Sequence, residues 1–151
     1  MDTIYVFSGL GADRRVFEKL DFSGMQVVYV DWLKPRPAEA LESYVFRLAE
    51  HYQIPKQGAN VLGLSFGGMC IAELSKYYDF KKTILISSAK TNDELPKVLG
   101  VSKFLSLHKL FAGNQPRFAN SKVLYWLFGL KSDEEQFLFD TMLADSDPDF
   151  Q

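Results

Sequence analysis

The stretch ANVLGLSFGGMCIAEL, residues 59–74, decides how this chain is to be read. It opens with an apolar, strand-like run, passes through Gly63-Leu64-Ser65-Phe66-Gly67-Gly68, and continues as an apolar helical pattern. A G-x-S-x-G match arises by chance in roughly one chain in twenty of this length, so the context must carry the weight. Here the turn follows a strand and opens a helix, which pushes a serine Oγ out beside free backbone N–H groups at a helix N-terminus. Negative charge developing on a reacting group is favoured there. Gly63 and Gly67 have a steric task, because a serine at such a turn is strained and its neighbours come too close to other elements to carry a Cβ. The plainer alternative makes Ser65 a helix cap.

Around this stretch, four apolar runs alternate with helical patterns: TIYVFS (3–8), MQVVYVDW (25–32), NVLGLS (60–65) and KTILISS (82–88). Runs this continuously apolar predict parallel strands covered on both faces. Helices are predicted over 13–20, 38–53 and 66–78. In the second, Leu41, Tyr44, Val45, Leu48 and Tyr52 make one apolar stripe after the boundary KPRP (34–37). The fold class is therefore α/β, a three-layer, mostly parallel sheet over residues 1–89. Beyond Ser88 the alternation stops. Residues 90–151 read as an all-helical cap with segments near 102–112, 121–129 and 132–144, the last opening on the capping box Ser132-x-x-Glu135. VVYVDW and TILISS are the natural sheet edges, yet neither carries the charges or prolines that usually protect an edge. The sheet reads as incomplete, and self-association through an unpaired edge is one expectation.

Composition narrows the partners. A length of 151 residues suits one domain with a real core, and 47% apolar content places it among globular chains. A net charge of −2, with no basic cluster beyond short pairs such as Lys81-Lys82, argues against nucleic acid. The single cysteine, Cys70, cannot close an internal disulfide and reads as a small buried helix residue. The N-terminus lacks the form of a signal peptide, and no run approaches the ~20 apolar residues of a membrane span. A cytoplasmic protein without cofactor or metal is expected.

A second loop, FSGLGADRRVF (7–17), follows the first strand and offers free amides ahead of a helix start. The same letters partly imitate a dinucleotide fingerprint: Gly9-x-Gly11, with Asp31 closing the second strand. The third glycine would fall at residue 14, which is arginine, and the fingerprint needs it for close helix packing. Taken with the serine turn, the loop resembles that of the α/β-hydrolase family, in particular small lipase, esterase and peptidase-like members with a GLGAD-x-R-V-F loop. The resemblance spans the chain and is strongest in the strands and the turn. It implies that Ser65 is a nucleophile and that the backbone N–H groups of Leu10 and Phe66 form the oxyanion hole. Many members have His-Gly where this chain has Ser8-Gly9, a position that is not the catalytic histidine.

A serine needs a base to become a good nucleophile. The chain has two histidines, His51 and His108. His51 sits near the end of the long helix, off its apolar stripe, and helices cover sheet faces rather than strand ends. His108 shares a helix face with Phe104, Leu107 and Phe111 in the cap, so it is a possible base, with simple helix packing the plainer reading. For the acid, Asp93 and Glu94 follow the fourth strand, where some members of the resembled family place theirs; without a matching histidine they read as loop or helix-start residues. In the family the triad runs Ser, acid, His, the last two on loops beyond the cap. The expectation is an N-terminal part of a serine hydrolase, inactive or very slow by itself, acting on a small apolar acyl substrate. The alternative is a non-catalytic module that binds a ligand or dimerises through its edge strand.

Overall fold

In the computed structural model, residues 1–88, 125 and 130–145 are described. Four parallel strands, β1 (Asp2–Phe7), β2 (Met25–Val30), β3 (Asn60–Leu64) and β4 (Lys82–Ile86), pair in the order β2-β1-β3-β4. Ile4 lies opposite Val27 on one side and Asn60 on the other, and Leu64 opposite Ile86. As the apolar edges implied, β2 and β4 are the outer strands of this described sheet.

Alternation along β1 explains why its residues are apolar throughout. Tyr5 and Phe7 join the larger core with Val61 and with the helices α1 (Leu41–His51) and α2 (Phe66–Leu74). Ile4 and Val6 face the other way and pack with Leu62 and Phe17. Leu48, Ile71 and Leu74 are fully buried in the larger core, each worth about 1.5–3 kcal/mol of burial. Tyr44, Val45 and Leu48 of the expected α1 stripe are buried, with Leu41 and Tyr52 half-buried at its margins.

Element ends differ from the sequence expectation for identifiable reasons. The helix expected over 13–20 is one 3-10 turn, Arg14–Phe17, capped by Asp13, whose carboxylate accepts from the Arg15 amide. Only Phe17 is buried there, while Leu20 is 41% exposed, so there is too little apolar face to sustain more turns. Strand β2 stops at Val30 because the peptide groups of Asp31 turn to the Tyr52 hydroxyl, at 2.9 Å and 3.2 Å. Helix α1 starts after Ala38 (φ 56°) and ends where Gln53 takes φ 51° and the Ile54 amide bonds back to the Ala49 carbonyl. Strand β4 stops before Ser87, at φ 46°. Helix α3 (Asp133–Asp145) has both bonds of its capping box, Glu135 amide to Ser132 Oγ and Ser132 amide to Glu135 carboxylate. The expected segment 102–112 lies outside the described residues, as does 121–129 apart from Tyr125, which is helical.

Candidate active site

Strand order places the site. From β1 the chain moves outward to β2 and then returns to add β3 on the other side of β1, so the direction of winding reverses between β1 and β3. A crevice opens at the carboxyl ends of two strands related in this way. The loop after β1 carries Gly9 and Leu10, and the turn after β3 carries Ser65 and Phe66.

Ser65 holds φ 51° and ψ −114°, a conformation that a residue with a Cβ adopts only under constraint. It occupies the N-cap position of α2, yet its side chain makes no capping bond. Its hydroxyl is therefore not spent on the role that the plainer reading gave it. The turn closes because its glycines admit close backbone approach. A Cβ on Gly63 would lie 2.6 Å from the Gly68 amide nitrogen, and one on Gly67 would meet the carbonyl oxygens of Phe7 and Ser8. Phe66 is the first residue of α2, so its N–H has no acceptor within the helix.

The first loop abuts the turn. A Cβ on Gly9 would stand 3.4 Å from Ser65 Cβ. The Ala12 amide donates to the Gly9 carbonyl at 3.2 Å, closing a turn with Leu10 and Gly11 at its centre, and Gly11 takes the positive φ of 68° that such a turn requires. The Leu10 N–H takes no part in that closing bond. Trp32, read from sequence as a strand end, lies against both segments. Its ring centroid is 5.2 Å from that of Phe66 and 6.5 Å from that of Phe7, and its indole N–H points to the Gly9 carbonyl at 3.4 Å. Cys70, one turn into α2, is wholly buried, and burial pushes its thiol pKa upward, so it stays protonated and unreactive.

Two residues at the end of β4 carried no signal in the sequence. Ser87 is at φ 46°, and Ser88 donates its hydroxyl to the Ser65 carbonyl at 2.7 Å. The only hint was Gly68, a glycine more than the motif needs, whose Cβ would fall on the Ser88 side chain.

The structure does not bring His51 to this site. His51 is exposed at the C-terminal end of α1, which leads into the start of β3, whereas Ser65 lies past its end. A strand of five residues separates the two by roughly 16 Å along its axis. His108, Asp93 and Glu94 lie outside the described residues. Of the dinucleotide pattern, Asp31 is exposed with its peptide groups on Tyr52, and Arg14 opens the 3-10 turn. Among the described residues no helix is long and apolar enough to cross a membrane.

No family model matches the sequence, and no curated protein matches it. Solved structures do match the fold. A hydrolase from Pseudomonas aeruginosa superposes with a TM-score of 0.68 at 12% identity, covering 97% of this chain and 60% of that one. An extracellular α/β-hydrolase from a Paenibacillus species, described as sharing structural and functional homology with tobacco salicylic acid binding protein 2, gives 0.63 at 17% identity. That match covers 98% of this chain and 67% of the other. The chain thus spans about three fifths to two thirds of the length of these structures, and over that span it has the α/β-hydrolase fold.

Proposed function

We propose that this chain carries the nucleophile of a serine hydrolase that transfers an acyl group from an ester, thioester or amide to water. The observation that carries the reading is the junction of the two loops, with Gly9 against Ser65 and Ser65 held at positive φ without a capping bond. On this reading Ser65 Oγ attacks the acyl carbonyl, and the N–H groups of Leu10 and Phe66 receive the oxyanion of the tetrahedral intermediate. Collapse expels the leaving group with a proton and leaves an acyl-serine, which water hydrolyses. Trp32 packs on Phe66, the residue after the serine, and Leu10 belongs to the adjoining loop; these apolar neighbours favour an apolar acyl group.

The proton acceptor has to come within about 3 Å of the hydroxyl. We place it, and the acid that orients it, outside the described residues; His108 is the less favoured candidate, since helix packing is the plainer reading of it. If His108 is not the base, the 151-residue chain turns over very slowly, because an oxyanion hole and binding alone keep only a small part of a triad's rate. Ester hydrolysis by the purified chain, compared with Ser65→Ala and His108→Ala, tests both points. Turnover lost in both variants makes His108 the base, and turnover kept in Ser65→Ala contradicts the reading.

A second reading, self-association through β4, has one observation behind it. Ile84, in the middle of that outer strand, is 46% exposed. Sedimentation velocity distinguishes it: a concentration-dependent dimer supports pairing, and a monomer at all concentrations contradicts it.

A further inference from the structure

We propose that Ser88 is a positioning residue for Ser65, its hydroxyl fixing the strained turn to the end of β4. The role rests on the reading of Ser65 as the nucleophile, but the contact stands apart from it. The Ser65 backbone is held at two points by the end of β4 and the residues just after it: its amide donates to the Ile86 carbonyl at 2.9 Å, and its carbonyl accepts from Ser88 Oγ at 2.7 Å. The same carbonyl accepts from the Gly68 and Met69 amides at 3.0 Å and 3.2 Å. Those two bonds tie it to its own helix, whereas Ser88 ties it sideways to the segment that leaves β4.

Two costs in the chain become intelligible as the means to this contact. Ser87 adopts φ 46°, which turns the chain directly after the strand and delivers Ser88 to the Ser65 carbonyl. Gly68 is glycine where the serine motif does not require one, and any Cβ there would occupy the space of the Ser88 side chain. A nucleophile must be held to within about 0.5 Å to be productive, and a residue at unfavourable φ drifts from its position unless its peptide groups are held.

The test is amide hydrogen exchange by NMR on the full 151-residue chain, comparing wild type, Ser88→Ala, Ser88→Thr and Gly68→Ala. A net hydrogen bond corresponds to roughly a two- to tenfold change in local opening. Ser88→Ala is expected to speed exchange at Ser65, Gly68 and Met69 by that factor, and Gly68→Ala to do the same. Ser88→Thr, which keeps the hydroxyl, is expected to stay close to wild type. Unchanged exchange in Ser88→Ala, or equal acceleration in Ser88→Thr, overturns the proposal. Should Ser88→Ala fail to fold, a folded Ser88→Thr with wild-type exchange supports it, and one that also fails overturns it. Phosphonylation of wild-type Ser65 is scored separately: its failure removes the hydrolase reading and leaves the exchange data to decide the clamp.

Discussion

The glycines before β2 and β3 and those of the serine turn are there for opposite reasons. Before β2 and β3, Gly24 and Gly58 sit at φ 79° and 77°, with nothing within 4 Å of where a Cβ would be. They are turn residues, chosen for backbone freedom in open space. In the serine turn Gly63, Gly67 and Gly68 need no unusual φ but have no room, and a positive φ falls on Ser65 and, after β4, on Ser87. Before the strands glycine relaxes the chain. In the serine turn it lets backbone crowd in, while the strain sits on Ser65.

That contrast can be broken by substitution. Gly63→Ala brings a Cβ against backbone that cannot swing away, so a loss of about 3 kcal/mol or more is expected in urea unfolding. Gly58→Ala meets no atoms and carries only the cost of a positive φ, about 1 kcal/mol. Equal losses at the two positions would erase the distinction. Ser65→Gly sharpens it from the other side. Releasing the strained residue is expected to raise stability by up to about 1 kcal/mol while abolishing any acyl transfer. A destabilised Ser65→Gly would mean that the turn holds no strain.

The smallest effect concerns the segment between β2 and α1, which begins with Asp31 and Trp32 at the crowded end. There Glu39 pairs with Arg47, which also reaches the Lys34 carbonyl. The Arg47 side chain first, and then the Arg36 amide, holds the Glu39 carboxyl down to about 2 from an ordinary 4.5. Its folded pKa is depressed, so its contribution is complete above about 4.5 and is lost as pH falls toward 2. Glu39→Gln is expected to flatten the pH dependence of stability across that window; an unchanged slope contradicts the pairing.

The strands were legible by their apolar runs, which in β1 reflect burial on both faces, as at Ile4, Tyr5, Val6 and Phe7, although Lys82, Thr83 and Ile84 of β4 are exposed. Their ends were not, because tertiary contacts set them: the Tyr52 hydroxyl takes the peptide groups of Asp31 away from β2, and φ at Ser87 ends β4. The serine turn could be read because its glycines lie within a few residues of Ser65. Ser88 could not, since it meets Ser65 across 23 residues of sequence and has no periodicity or bulk to mark it. Trp32 hid in the same way, as an aromatic at the end of an apolar run. Contacts between such distant residues are gathered by topology, and spacing along the chain carries little trace of them.

The most direct test of Ser65 as the attacking group is peptide mapping by mass spectrometry after prolonged incubation with a fluorophosphonate. One stoichiometric adduct on Ser65, absent from Ser65→Ala, is the expected result. Adducts spread over exposed serines, or undiminished total labelling in Ser65→Ala, would contradict it.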